Sequence, residues 1–455
     1  MISTVLFFTL CVLFFYKPVT GCLVFVALNT GGAGIAEMFF NRANFWVFSA
    51  SEAALVVPVV SLYLRGPSLR GADPLRAIAW AMTVCGILSI VFFDKSPARE
   101  VVHNIILKAV FWGPLFDAFT RLTDKERKWL QYGLMAAGAL TGLIVFVGVL
   151  TGWPMIIERL SLARGADLSI RPDLTTVSIE QRLTRRFAVP GFYSLMTIGF
   201  WLCVWGGVRW WQAGRVRRAV LCIAGCGAIV LGIAVNFARS IAMGLVVGLA
   251  VVLSLAWISP KRTLRIVRKQ LLLWIVMAVI GLIIGLELSP AVRSFWTERL
   301  SGADSSVSLD ARLEQDSWMV NKLLGSLNLL GTGEPLQFVG GDPHFLATAW
   351  WTYGSLFVLC LLLLLGLSLA RLLRAVLGSG PDSPTNVLAA LMWIGCFVNW
   401  QFLHASGGYL FDNEWFGLIF LLSEVSVITF VTRRMKRPPL APLTRSDVST
   451  RFGAY

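Results

Sequence analysis

Charge is scarce in this chain: only 14% of its 455 residues are Asp, Glu, Lys or Arg, against about 25% in an ordinary soluble domain. Too few polar groups are present to clothe a water-facing surface. The hydrophobic share is 56% and the mean hydropathy +0.73. At about 20 apolar residues per bilayer crossing, that fills on the order of twelve spans. Histidine is rarer still, with three copies, so any imidazole chemistry must use His103, His344 or His404. The eight cysteines fall inside or at the edge of apolar runs and not in loops where a disulfide framework would sit, so they read as packing residues. Cys222 and Cys226 share a helical face, yet no His or carboxylate accompanies them to complete a metal site. No basic residue precedes Lys17 and no small-x-small cleavage pattern follows, so the first run is expected to remain a span and not to act as a signal peptide.

Apolar runs between charge clusters predict spans near 3–16, 20–38, 45–64, 77–93, 101–119, 129–152, 190–208, 219–237, 240–258, 271–288, 347–370, 387–404 and 415–431. The fold class expected is an all-α polytopic integral membrane protein of 12–13 transmembrane helices with a helical periplasmic loop. Proline disfavours helix in the residue before it, so Lys17-Pro18 separates the first two spans. The transmembrane domain is expected over 1–432, including outer loops 153–188 and 290–346, with a cytoplasmic tail at 433–455.

Alternate loops divide the basic residues unevenly. One side holds 25 of the 40 Lys and Arg, in loops around Lys17, Arg65–Arg76, Arg121–Lys128, Arg209–Arg218, Lys261–Lys269, Arg371–Arg374 and the tail. That side is cytoplasmic by the positive-inside rule. Five acids lie in those loops, so the formal charge of +15 is a topology signal. It implies contact with membrane lipids and no nucleic acid, because the basic loops are short and dispersed.

Two outer segments, 153–188 and 290–346, hold most of the sequence that is neither apolar nor a short turn, and function is expected there. The second reads as a helix over 291–300, a Ser/Gly/Asp break at 301–306, and another helix capped by Ser308 or Asp310 that carries Arg312 and Trp318. Turn-rich Gly331-Thr332-Gly333-Glu334-Pro335 and Gly340-Gly341-Asp342-Pro343 then deliver His344 to the next span. The first segment ends in Arg182, Arg185 and Arg186 ahead of Pro190-Gly191. Arg239 lies in a tight turn between two apolar runs, where a cation needs a partner. Gly244-x-x-x-Gly248 reads as helix packing. Glu37, Glu52, Asp117, Glu287 and Glu424, in or at the edges of spans, read as structural more readily than as a proton relay. The arginines and the histidine together point to an anionic ligand, a phosphate or diphosphate held by guanidinium forks at the outer face.

These stretches resemble the O-antigen ligase and polymerase family of bacterial envelope glycosyltransferases. The matching pieces are Arg186-Phe187-Ala188-Val189-Pro190-Gly191, Ala238-Arg239-Ser240, Asp310-Ala311-Arg312 with Trp318, Gly331-Thr332-Gly333, and His344-Phe345-Leu346 leading to Tyr353-Gly354-Ser355. The likeness covers roughly residues 180–370, and Phe345 stands where the family often has Asn. It implies glycan transfer in the inner membrane from an undecaprenyl-diphosphate-linked donor to a glycan, lipid A core or protein acceptor. Arg186, Arg239 and Arg312 are then expected to bind the diphosphate, with His344 as the catalytic base. The outer loops carry no Asp-x-Asp motif, so the reaction is expected to need neither metal nor cofactor. A polysaccharide or lipid transporter is the rival reading and would show inverted repeats with interrupted helices.

Topology is testable directly. A Ser305→Cys variant should react with an impermeant thiol reagent without rupture of the inner membrane; labelling only after rupture would overturn the orientation and the site together.

Overall fold

The computed structural model describes residues 2–29, 44–45, 48–65, 73–93, 105, 110–151, 191–235, 239–287, 293, 297, 314, 317–318, 321, 329–332, 345–378, 384–405 and 412–436. Within them the regular secondary structure is helical apart from one antiparallel pair of two-residue strands, β1 (Asn44–Phe45) and β2 (Phe48–Ser49). The first helices are α1 (Ile2–Tyr16), α2 (Pro18–Asn29), α3 (Ala50–Leu64), α4 (Pro74–Phe93), α5 (Gly113–Arg121) and α6 (Asp124–Thr151). Then come α7 (Gly191–Gln212), α8 (Val216–Val235), α9 (Arg239–Ile258) and α10 (Arg262–Glu287). The last are α11 (Phe345–Tyr353), α12 (Ser355–Leu377), α13 (Pro384–Ala405) and α14 (Asp412–Lys436). In the long 290–346 segment, Arg293, Thr297, Glu314, Ser317, Trp318 and Asn321 are helical and exposed.

Five stretches, Pro74–Phe93, Asp124–Val147, Val216–Ala234, Ile241–Ile258 and Ser355–Leu377, are long and apolar enough to cross a membrane. Between 33% and 44% of each is buried inside the protein, so most of their side chains face outward. On α12 the outward row includes Leu356, Leu359, Leu363 and Leu367. Exposing such a surface to water costs about 25 cal/mol per Å², whereas hydrocarbon accepts it. The chain is membrane-embedded.

At the centre, α7 touches α6, α8, α13 and α14, and residues 195–204 of α7 and 416–426 of α14 are all buried. Small residues set the helix spacing there. A Cβ at Gly248 would lie 3.0 Å from the Gly395 carbonyl oxygen and 2.9 Å from the Trp201 ring, so α9 and α13 meet backbone to backbone, as the Gly244-x-x-x-Gly248 reading requires. A second crossing, unnoticed in the sequence, sets Gly138 of α6 against Gly199 of α7. Five of the eight cysteines are buried in this packing, and Cys226 Sγ donates to the Phe200 carbonyl at 3.7 Å.

The basic loops gather at one end. Arg371 grips Asp73 through two bonds of 3.1 and 2.8 Å, and Ser426 Oγ donates to the same carboxylate at 2.5 Å. Asp73 also accepts from the Leu75 N–H at 3.1 Å, capping α4. Arg76 and Arg121 share Asp117, at 2.9 and 3.0 Å. Arg127 Nη1 and Gln131 Nε2 donate to the two oxygens of Glu424, at 2.8 and 3.0 Å, and Arg65 pairs with Glu126. Asp117 and Glu424 therefore join helices, in keeping with a structural role. Trp129, Trp211 and Trp257 are exposed at this end, with the Arg268 guanidinium 4.8 Å above the Trp257 ring, a pattern suited to the interface between lipid and water.

Several boundaries differ from those expected. α6 starts at Asp124 and not at 129, because Thr123 and Glu126 form a capping box: Glu126 Oε2 accepts from the Thr123 N–H at 3.1 Å, and Thr123 Oγ1 accepts from the Glu126 N–H at 3.3 Å. α3 begins at Ala50 and not at 45, since the strand pair precedes it. Among the described residues of the 101–119 run, the helix is broken at Trp112, where Pro114 supplies no N–H; Thr83 Oγ1 takes the Gly113 N–H at 2.8 Å. The 347–370 run is two helices, α11 and α12. Residues 437–455 of the expected tail lie outside the described residues.

Burial alone would raise the Asp73 carboxyl, but the hydrogen bonds from Arg371 and Ser426 outweigh it and hold the group below the usual carboxylate range. A depressed folded-state pKa contributes stability that is fully present above the unfolded value, about 3.9, and is lost as pH falls through the folded one. Asp73→Ala should cost on the order of 2 kcal/mol, below the roughly 3–5 of a fully buried pair. Thermal unfolding in detergent should show a lowered midpoint at neutral pH and a flatter acid dependence than the native chain.

Candidate functional site

The end opposite the basic loops carries most of the described residues that resemble the glycosyltransferase motifs, among them Arg239, Gly331, Thr332 and Gly354. The structural event there is the break between α11 and α12. Gly354 sits at φ 87°, a conformation that favours glycine, and it interrupts what would otherwise be one apolar helix. Any helix end leaves carbonyls and N–H groups without intrahelical partners, and in lipid each must find one inside the protein.

The segment from Leu329 to Thr332 supplies most of them. Trp351 O accepts from the Thr332 N–H at 2.7 Å and from its hydroxyl at 3.1 Å, while Ser89 Oγ of α4 donates to Thr352 O at 2.6 Å. On the other side of the break, the Leu356 N–H donates to Leu329 O at 3.3 Å. Gly331 is also at positive φ, 79°, and approaches so closely that a Cβ at either Gly331 or Gly354 would collide with the backbone of the other segment. Phe357, one turn into α12, stacks edge-on against Trp112 at 4.9 Å and packs against Tyr353 at 4.6 Å. This clasp unites two of the sequence motifs, Gly331-Thr332 and Tyr353-Gly354-Ser355.

His344 lies outside the described residues, as do Arg186, Arg312 and His103. Their neighbours are described: α11 starts at Phe345, directly after His344, and α7 starts at Gly191, five residues after Arg186. Arg239 is the first residue of α9. The contact of Gly248 with Gly395 fixes the register of α9 on α13. Arg239 lies nine residues before Gly248 and His404 nine after Gly395, so in this antiparallel pair both stand about 14 Å from the contact, at the same level. Ser259 Oγ donates to Val376 O at 2.6 Å at the basic end, and α9 and α12 both run away from the clasp end, which sets Arg239 level with the start of α12. The structure thus brings Arg239, the clasp and the end of α13 to one end of the bundle.

Sequence reasoning missed Ser89 and the Leu329 carbonyl. A hydroxyl buried in an apolar span was the available signal for Ser89; the carbonyl left none. Comparison with family models, with curated proteins and with solved structures found no match to this chain.

Gly354→Ala and Gly331→Ala should each lose on the order of 1–3 kcal/mol from backbone strain, with the collision adding to it. Gly366→Ala, in α12 with open space around its Cβ position, is the matched control and should be neutral or slightly stabilising. Unfolding midpoints in detergent read both.

Proposed function

We propose that the chain transfers a glycan from an undecaprenyl-diphosphate-linked donor to a sugar hydroxyl at the membrane face opposite the basic loops. In this reading it is a bacterial inner-membrane protein of twelve or thirteen spans, with that face periplasmic and the C-terminal tail cytoplasmic. The observation that carries the reading is the clasp. It ties the segment ending at Thr332 to α11, the short helix that begins directly after His344, on the end where α9 begins with Arg239.

His344 accepts the proton of the attacking hydroxyl. The hydroxyl oxygen forms the new bond to the anomeric carbon, and the bond from that carbon to the diphosphate breaks, its electron pair leaving with the lipid diphosphate. Arg186, Arg239 and Arg312 stabilise the charge that grows there, since guanidinium forks match phosphate oxygens in a way lysine does not. The acceptor is another lipid-linked glycan in a polymerase, or a lipid A core or protein in a ligase.

The interrupted α11–α12 helix favours a second reading, a polysaccharide or lipid transporter, because such proteins use helix breaks to hold cargo. Against it, the break's Trp351, Thr352 and Leu356 backbone groups are bonded to Thr332, Ser89 and Leu329.

Purified enzyme with lipid-linked donor and sugar acceptor, assayed with a metal chelator present, tests the mechanism. His344→Ala should lose about 10² to 10⁴ in turnover while retaining the donor, and Arg186→Lys, Arg239→Lys and Arg312→Lys should each impair transfer at normal protein levels. A His344→Ala enzyme within a few-fold of native would remove the base, full activity in all three lysine variants would remove the clamp, and inactivation by chelator would require a metal. In a deletion strain, single capped repeats on a gel identify a lost polymerase, and long chains retained on the lipid carrier a lost ligase.

A further inference from the structure

At the basic end, far from the clasp, a cavity of about 230 Å³ lies between the first two turns of α6, the second half of α7, the first half of α13 and the middle of α14. Its polar wall includes Asp124, Arg127, Lys128, Trp205, Arg209 and Asn386. Glu424 also borders it, but its two oxygens are already engaged by Arg127 and Gln131. Around this wall, Arg127 Nε, Trp201 Nε1, Trp205 Nε1 and Asn386 Nδ2 are buried N–H donors without an acceptor among the described residues, and Arg127 is 6% exposed. Lys128 and Arg209 add two cations, the latter lying 5.3 Å from the Trp205 ring. The N-termini of α6 and α13 end at the rim, directing their positive dipole ends the same way. Met392, Val427 and Ile428 form an apolar floor.

Donors in surplus, two cations against the single further carboxylate of Asp124, and two helix N-termini call for an anion with several acceptor oxygens, and the apolar floor suits one attached to a hydrocarbon part. The volume is below the roughly 300–1,000 Å³ that encloses a drug-sized ligand; it admits a headgroup and leaves any acyl chains outside, along the lipid-facing surface. We infer that this cavity binds a phosphate-bearing anion presented from the basic side of the bilayer, either the headgroup of an anionic lipid or a free phosphate. The site is independent of the glycan-transfer reading, since none of its residues belongs to the clasp or to the arginine and histidine set.

Native mass spectrometry of the full chain in non-ionic detergent tests it, with phosphatidylglycerol and phosphatidylcholine of matched chains as probes and inorganic phosphate as competitor. The native protein should retain one phosphatidylglycerol in preference to phosphatidylcholine. Lys128→Gln with Arg209→Gln should weaken retention about tenfold. Arg217→Gln with Arg265→Gln, which removes two exposed cations from the same end, should leave it unchanged. Lys128→Glu, at an exposed position that folding tolerates, should weaken it alone. Displacement of the lipid by inorganic phosphate identifies phosphate as sufficient; retention in its presence identifies the lipid as the occupant. Equal retention of both lipids, equal loss from both double variants, or retention unaffected by Lys128→Glu overturns the site.

Discussion

Hydrocarbon offers no hydrogen bonds, so a membrane-embedded chain must complete its own wherever the helical ladder stops. That requirement organises most of what is distinctive here. Where α12 begins at Gly354, Leu329 and Thr332 reach in from a segment more than 20 residues upstream and Ser89 from a helix some 260 residues away. Where α5 begins after Trp112, Thr83 takes the exposed N–H. Where α6 begins, Thr123 and Glu126 cap each other. Each break is tolerated because a specific polar group answers it, and each answer fixes one element against another.

The two ends of the bundle solve different problems with this rule. At the basic end, carboxylates and guanidinium groups are paired across helices, so Asp73, Asp117 and Glu424 act as joints among α4, α5, α6, α12 and α14. Such pairs rigidify because removing one partner strands the other in a medium that solvates it poorly. At the opposite end the joints are backbone groups and glycines. Among the described residues, that architecture holds the segment around Thr332 and α11 in place through the Leu329 and Thr332 backbone and the Thr332 and Ser89 hydroxyls, without charged side chains.

How much of this was legible in the sequence depends on range. The membrane class, the sorting of Lys and Arg, and α9 with its Gly248 contact follow from local composition and short motifs, and the structure agrees with them to within a few residues. Gly354 was visible as one glycine in an apolar run, but the break it makes was not, because its stability resides in Leu329, Thr332 and Ser89. The pairing of Asp73 with Arg371 spans 298 residues, and no spacing rule reaches that far. The level shared by Arg239 and His404 likewise follows only from the packing of α9 on α13. Arg186, Arg312 and His344 rest on the motif resemblance, since the geometry described extends only to the helices that follow Arg186 and His344.

Asp73 also imposes an order in time. Its partners Arg371 and Ser426 follow it by 298 and 353 residues, and at about 5–20 residues per second of synthesis the first is made some 15–60 s later. Throughout that interval α4 is inserted with its carboxylate unmatched. Asp73 stands just outside α4, at the helix end where the basic loops gather, so it can wait in contact with water; the same residue at midspan would have to be carried through hydrocarbon with no counter-charge in existence. The position of this long-range joint is thus one that a chain threaded into the membrane from its N-terminus can reach, with α12 and α14 closing it last.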